Sequence, residues 1–260
     1  MVLPTQARRA HIAQLVNAEC WVSVADLAKH FGVSEVSIRR DLKELERQGF
    51  LQRVRGGALR AASSPQDDVY SQRAAQRMEK KRRIARAAIR LVQPSDSIIL
   101  DSGSTVAEVA RHIAAEASLG QHLRIITGSI PVVEAFTPYP EIQLLFLGGL
   151  YLHQYRTVIG PQTLASLEGL HADKMLMGSD GLTIATGTTT ANVLEAEVTR
   201  SMTRAADKVI VVADSSKIGQ TGFATVMPLE QVDILVTDSD APSDLVAELR
   251  KMGVDIRLAR

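Results

Sequence analysis

Apolar residues in the first third of the chain keep helical spacing and then change to strand spacing. Ile12, Leu15 and Val16 predict an opening helix over residues 5–16, with Arg8 and Arg9 on its first turns. Ser23-Val24-Ala25-Asp26-Leu27-Ala28 and Ser34-Glu35-Val36-Ser37-Ile38-Arg39-Arg40-Asp41-Leu42 predict two short helices joined through Phe31-Gly32-Val33. Ser23 and Ser34 are suited to cap them, Asp26 stands at the capping-box position, and Gly32 permits the turn. On the second helix Ile38, Leu42 and Leu45 fall at i, i+4 and i+7 and share a buried stripe. Val36, Arg40, Lys43 and Arg47 fall opposite, flanked by Ser37 and Arg39. Gly49 is placed to close this helix as its C′ residue. Over residues 50–59 apolar and basic residues alternate and the chain turns at Gly56-Gly57, the pattern of a small hairpin.

Ala61-Ala62-Ser63-Ser64-Pro65-Gln66-Asp67-Asp68 lacks periodicity and reads as an interdomain linker. The expected organisation is a first domain at 1–60, a linker at 61–70 and a second domain at 71–260. Residues 71–92 predict one long helix with Ile84, Ala88, Leu91 and Val92 on one face; Lys80-Lys81-Arg82-Arg83 interrupts it and reads as a solvated charge run. Beyond Pro94, short β-branched runs at 97–100, 123–126, 142–147, 174–177, 209–213 and 234–237 alternate with amphipathic segments at 105–117, 131–136, 162–167, 192–206 and 242–252. Alternation of this kind, with near-continuously apolar strands, predicts a mostly parallel sheet covered by helices, an α/β fold. Ligands of such sheets bind beyond the carboxyl ends of the strands.

Composition adds that the 260 residues, 45% hydrophobic, suffice for one small and one medium domain. Aromatics at 4% are too scarce for a stacking platform of the kind that grips single strands, and Trp21, the single tryptophan, is expected in the core of the first domain. The net charge of +1 conceals a division, because residues 1–93 carry 18 of the 30 Lys and Arg but 9 of the 29 Asp and Glu. The basic first third is the part suited to a polyanion. Cys20 is the single cysteine, which excludes an internal disulfide and fits a reducing compartment. No apolar run approaches the roughly 18 to 20 residues of a membrane span, so a soluble cytoplasmic protein is expected. His11, His30, His112, His122, His153 and His171 form no metal-ligand pair at i, i+3 or i, i+4, and neither a metal nor a cofactor is expected.

A basic helix face is more often solvated than functional, here with Glu44 and Glu46 at hand as partners. The turn, both caps and a basic hairpin nevertheless occur together in the order of a winged helix-turn-helix, so the second helix is expected to enter a major groove and the wing to lie along phosphates. The expected contacts with double-stranded DNA are Ser34, Val36, Ser37, Arg39, Arg40 and Lys43 from the helix, with Arg53 and Arg55 from the wing. Residues 24–59, above all 33–42 and Arg55-Gly56-Gly57-Ala58, closely resemble the DNA-binding domain of DeoR-type bacterial transcription regulators. Val54 departs from that family's polar preference before Arg55.

Asp101-Ser102-Gly103-Ser104-Thr105 links a strand to a helix through small hydroxyl residues and a glycine, so its amides and hydroxyls are suited to surround a phosphate at the positive helix end. The competing reading is a plain turn with Ser104 or Thr105 as N-cap. Thr127-Gly128-Ser129, Gly148-Gly149 and Gly178-Ser179-Asp180-Gly181 follow further strands and gather polar turns on the same sheet edge. Gly187-Thr188-Thr189-Thr190-Ala191-Asn192 is expected to open the helix that bears Glu195, and Asp214-Ser215-Ser216-Lys217 ends the fifth strand with a fixed positive charge.

Together these loops resemble the effector domain of the same DeoR family, which is similar to the ribose phosphate and glucosamine phosphate isomerase fold and senses phosphorylated sugars. By position the resemblance implies Asp101, Ser102, Gly103, Ser104, Thr105, Thr127, Gly149, Asp180, Gly181, Asn192, Glu195 and Lys217 as effector contacts. Leu152 stands where many relatives have an arginine after the glycine pair, with Arg156 four residues on, so the resemblance implies either a different ligand or Arg156 as a substitute. The resulting expectation is a repressor of carbohydrate genes, controlled by a phosphorylated sugar, binding operator DNA as a homo-oligomer, dimer or tetramer. The rival is a sugar phosphate isomerase with an accessory DNA-binding module, for which Asp101, Asp180, Glu195 and Lys217 would supply acid and base. A structural nucleoid protein is disfavoured by the large acidic body.

Overall fold

The computed structural model describes residues 4–19, 21–48, 50–60, 69–116, 119 and 123–260. Gly49, the linker residues 61–68, Cys20 and His122 lie outside the described residues. The chain divides into two compact units, Met1–Val69 and Tyr70–Arg260.

The first unit runs α1 (Thr5–Glu19), β1 (Trp21–Ser23), α2 (Val24–Phe31), α3 (Glu35–Arg47), β2 (Leu51–Val54) and β3 (Gly57–Arg60). Ser23 caps α2 by accepting the Asp26 N–H at 2.9 Å and also donates its hydroxyl to the Asp26 carboxylate at 2.6 Å. Ser34 caps α3 by accepting the Ser37 N–H at 3.3 Å, and Gly32 turns the chain at φ +63°. Ile38, Leu42 and Leu45 are buried with Ile12, Val16, Leu27 and Phe31, so the apolar stripe of α3 closes a small core. Asp41, on the same inner side, receives Arg8 at 2.7 Å and Arg9 at 2.8 Å, which pins α1 across α3 by a buried ionic clamp. The strands form an antiparallel sheet in the order β1-β3-β2. Gly57 is required where β1 crosses, because a Cβ there would stand 2.2 Å from the Val22 carbonyl oxygen.

Trp21 corrects one expectation. It lies outside the core, 48% exposed, because the two-residue strand period turns Val22 inward and Trp21 outward opposite Leu59.

The second unit adds α4 (Val69–Ala75), α5 (Met78–Ala88), β4 (Ser97–Leu100), α6 (Ser104–Ala115), β5 (Arg124–Thr127), α7 (Ile130–Phe136), β6 (Gln143–Phe146), β7 (Leu150–Leu152), β8 (Thr157–Ile159), α8 (Pro161–Leu167), β9 (Ala172–Met177), β10 (Gly181–Thr183), β11 (Gly187–Thr190), α9 (Val193–Arg204), β12 (Ala206–Val212), β13 (Ala224–Met227), β14 (Ile234–Asp238), α10 (Ser243–Lys251) and β15 (Asp255–Ala259). Seven strands make one parallel sheet in the order β15-β14-β12-β9-β4-β5-β6. Successive residues serve opposite layers. Ile98, Leu100, Leu176, Ile210 and Val212 pack under α5, α6 and α7, while Ile99, Met175, Met177, Val209 and Val211 pack under α8, α9 and α10. The strand order reverses between β4 and β9, so the loops leaving these two neighbours diverge and open a crevice at their carboxyl ends.

The helix expected over 71–92 is broken. Arg77 sits in the left-handed region at φ +50°, between α4 and α5, and the tail of α5 tightens into a 3-10 turn at Ile89–Leu91. The charge run that follows the break is a solvated face only in part, with Arg82 exposed. Lys80 pairs with Asp238 at 3.1 Å and Asp240 at 2.8 Å, and Lys81 is buried. Residues 187–190 also differ from expectation, forming β11 between β10 and β13 rather than opening a helix. Among the described residues no helix is long and apolar enough to cross a membrane.

Candidate functional site

The first unit presents one polar helix face. Val36, Arg39, Arg40 and Lys43 are exposed on α3, while the helix amino end carries Ser34 and Ser37 with their hydroxyls 3.0 Å apart. Arg39 is held by Glu35 at 2.7 Å one turn back. Arg40, Lys43 and, on the wing, Arg55 form no ion pair among the described residues. Arg53 is bound to Glu46 at 2.8 Å. That pair is exposed, and exposed pairs are worth roughly 0 to 1 kcal/mol, so a phosphate competes for Arg53 at little cost.

In the second unit a cleft of about 820 Å³, counted out to open solvent, lies at the carboxyl ends of β4 and β9. Of the residues singled out from sequence, Asp101, Ser102, Gly103, Ser104, Thr105, Asp180, Glu195 and Lys217 line it. Gly103 precedes α6 at φ +106°, no side chain caps that helix, and Gly103, Ser104 and Thr105 at its amino end line the cleft.

Thr127, Gly149, Gly181 and Asn192 do not line the cleft. The Thr127 hydroxyl donates to the Leu100 carbonyl at 2.6 Å and receives the Ser129 N–H at 3.1 Å, which joins the ends of two strands. A Cβ on Gly149 would meet the Thr163 hydroxyl at 2.0 Å, and one on Gly181 the Gln220 carbonyl at 2.4 Å, so both are close-approach positions. Asn192 caps α9 by accepting the Leu194 and Glu195 N–H groups at 2.9 and 3.2 Å, and so orients Glu195. Arg156 is engaged by Glu134 at 2.7 Å and lies over the Tyr70 ring, outside the cleft lining.

Other lining residues were not expected as effector contacts, although Lys81, Thr190 and Asp214 lie in stretches named above. Tyr70, Arg73, Gln76, Arg77 and Lys81 come from α4, the break and α5; Tyr155, Thr190, Thr199 and Asp214 come from later segments. Only a helix break beside a basic run hints at the first group. Arg73 binds Asp180 through two contacts, at 2.8 and 3.1 Å, and its guanidinium lies 5.5 Å from the Tyr155 ring centroid. Lys81 donates to the Gln76 carbonyl at 2.8 Å and to the Arg73 carbonyl, which ties the end of α4 to α5.

Charge divides the cleft. Asp101 accepts the Thr199 hydroxyl and is pushed up to about 6, by burial first and by the charge of Asp180 after it. Glu195 accepts the Ser102 hydroxyl at 3.2 Å and is pushed up to about 8, by burial and then by Asp101 and Asp180. Lys81 is lowered to about 8 by burial; Asp214 opposes that shift, while Lys217 and Arg77 reinforce it. One neighbourhood is therefore carboxyl-rich and hydroxyl-lined, and the other gathers three cations around Asp214. Among the described residues no group of three or more His, Cys, Asp and Glu is arranged to hold a metal ion.

A DeoR-like helix-turn-helix domain matches residues 8–64, and a DeoR C terminal sensor domain matches residues 76–239. The chain belongs to the DeoR family. As a DeoR-family transcriptional regulator it pairs a DNA-binding domain with a sensor domain, and the cleft lies within the sensor. A protein of Escherichia coli O157:H7 named for repression of the aga operon is 34% identical over 99% of this chain and 95% of its own length. The regulator GlpR of Haloferax volcanii is 31% identical over 98% of each chain, and the repressor GlcR of Bacillus subtilis 34% identical over 86% of this chain and 84% of its own. Ribose 5-phosphate isomerase A of Methanocaldococcus jannaschii aligns over 54% of each chain at 21% identity with a TM-score of 0.41.

Proposed function

We propose that this DeoR-family regulator represses genes of carbohydrate metabolism and that a phosphorylated sugar bound in the sensor cleft controls its affinity for operator DNA. The observation that carries the reading is the division of charge in the cleft. An uncapped helix end stands with Arg77, Lys81 and Lys217, as a phosphate dianion requires, while Asp101, Asp180 and Glu195 offer acceptors to sugar hydroxyls. The relatives named for the aga operon, GlpR and GlcR support a carbohydrate role.

The cleft acts as a sensor, not a catalyst. Each carboxylate is already engaged: Asp101 by the Thr199 hydroxyl, Asp180 by Arg73 and the Ala191 N–H at 2.9 Å, Glu195 by the Ser102 hydroxyl. Such groups position a ligand, whereas isomerisation needs a base free to take a carbon-bound proton. Exchange of substrate carbon-bound hydrogen with solvent, assayed over a panel of sugar phosphates, is expected to stay at the background rate.

On the DNA side, α3 enters the major groove with Ser34, Val36, Ser37, Arg39, Arg40 and Lys43, and Arg53 and Arg55 hold backbone phosphates. Thermal denaturation of the full chain against phosphorylated and unphosphorylated sugars tests the effector assignment. A ligand at a hundredfold excess over Kd adds about 2.7 kcal/mol to the folded state. A phosphorylated sugar is expected to raise Tm and its unphosphorylated parent to leave it unchanged; no response to any sugar phosphate contradicts the reading.

A further inference from the structure

The two edges of the seven-stranded sheet are built differently. At one edge β15 exposes Asp255 and Arg257, paired at 2.7 Å, and charges on an edge strand discourage another strand from adding to it. At the other edge β6 carries none. From Gln143 to Leu152 ten consecutive residues contain no charge, in a chain that is 23% charged. Leu145 and Phe146 are 45% and 41% exposed although they point to opposite faces, so the edge is only partly covered, with Leu144 packed on the α7 side. Leu150 and Tyr151 on β7, in the same uncharged stretch, are exposed as well.

The main chain of β6 is half used. Its parallel partner β5 takes the groups of the odd-numbered residues, as in the Gln143 N–H to Leu123 carbonyl bond at 3.2 Å and the Leu147 N–H to Thr127 carbonyl bond at 2.9 Å. The N–H and C=O of Leu144 and Phe146 therefore point away from the sheet, where no other strand lies among the described residues.

We infer that β6 is the contact between two copies of this chain, which pair antiparallel about a two-fold axis at Leu145 and join two sheets into one. With the axis there, Leu144 of one copy faces Phe146 of the other, and each pair exchanges both outward hydrogen bonds. Leu145 meets its own copy at a non-hydrogen-bonded position, where Cα atoms stand about 4.5 Å apart. An identical strand is self-complementary in this arrangement, and an uncharged one brings no like charges together. A second copy is also the occupant a helix-turn-helix reader needs, since such modules read paired half-sites.

Sedimentation equilibrium of the full chain, beside its Leu145→Lys variant, tests the contact. The unsubstituted protein is expected to be a dimer or a multiple of one, and L145K to sediment at half that mass with an unchanged far-ultraviolet circular dichroism spectrum. A monomeric parent, or a folded L145K of unchanged mass, overturns the inference. Should L145K fail to fold, cross-linking decides. In a Cys20→Ser background, Leu145→Cys is expected to form a covalent dimer under mild oxidation, since the separation lies within disulfide reach, whereas Gln162→Cys, exposed on α8, is not. Absence of the Leu145→Cys dimer, or equal cross-linking at Gln162→Cys, overturns it as well.

Discussion

Arg73 grips Asp180 with two nitrogens, Nη1 at 2.8 Å from one carboxylate oxygen and Nη2 at 3.1 Å from the other, and so fastens α4 to the loop that leaves β9. Asp180 otherwise faces the carboxyls of Asp101 and Glu195 in a largely buried cleft. Arg73→Ala is expected to destabilise the unliganded protein by about 1 to 3 kcal/mol, because removing one partner strands the other charge. Asp180→Asn in the same chain should recover part of that loss. Urea denaturation of the two single variants and the double variant measures it; strictly additive losses would show that the two residues are not coupled.

Glu195 and Asp101 hold their protons more tightly when folded, at about 8 and about 6 against ordinary values of 4.5 and 3.8. A folded-state pKa above the unfolded one gives stability that is complete below the unfolded pKa and is lost as the pH rises through the folded one. For Glu195 the loss runs from about pH 4.5 to about pH 8. Lys81, lowered to about 8 from 10.5, acts in the other direction and higher up: its contribution is present above about 10.5 and is lost as the pH falls through 8. Unfolding free energies of the unliganded protein at pH 5 and pH 8 should therefore differ less in Glu195→Gln than in the parent. Identical slopes would contradict the assignment of the proton to Glu195.

What the sequence shows and what it hides follow from the range of the forces involved. The helix-turn-helix is legible because its caps, its turn glycine and the spacing of Ile38, Leu42 and Leu45 are local signals, and all three act in the structure as the pattern requires. The parallel strands are legible for the same reason, since burial on both faces makes runs such as Ser97–Leu100 almost wholly apolar. The strand β11 is not. Its threonines favour a strand but carry no apolar alternation to mark one, and of its partners β10 and β13 the second, whose Met227 carbonyl Gly187 lets approach, lies far off in sequence. Lys81 is hidden more deeply: nothing near it in a run of four cations distinguishes the one whose ammonium is turned inward to the carbonyls of a broken helix.

On the DNA face, Arg40 and Arg39 should behave differently. Arg40 has no ion pair among the described residues, while Arg39 is held by Glu35 at 2.7 Å. Arg40→Ala is expected to cost about 1 to 3 kcal/mol on a duplex selected in vitro for tight binding, with relaxed sequence preference at one position if a guanine edge is read. Fluorescence anisotropy titrations on matched and mutated duplexes measure both effects. Unchanged affinity together with an unchanged salt slope would remove this face from the DNA interface.

The wing is expected to hold phosphate without reading bases. Replacing Arg53 and Arg55 by alanine should reduce the slope of log K against log salt by about 0.9 for each phosphate that is no longer neutralised, while the ranking of sequences stays the same. Arg53 must leave Glu46 to reach a phosphate, so Glu46→Gln should strengthen binding slightly. A changed sequence ranking at constant slope would show that the wing reads bases.

Anion binding at the amino end of α6 is expected to govern DNA affinity, and one titration decides whether it does. Operator affinity is measured with and without the sugar phosphate that stabilises the protein, for the parent and for Ser104→Asp, whose carboxylate would stand where the dianion binds and repel it. The parent should shift its DNA affinity by the factor that a coupling of about 1 to 3 kcal/mol implies. Ser104→Asp, once shown to be folded, should keep the parent's affinity for DNA and lose the shift. A Ser104→Asp protein that still responds at the parent's effector concentration would contradict the claim.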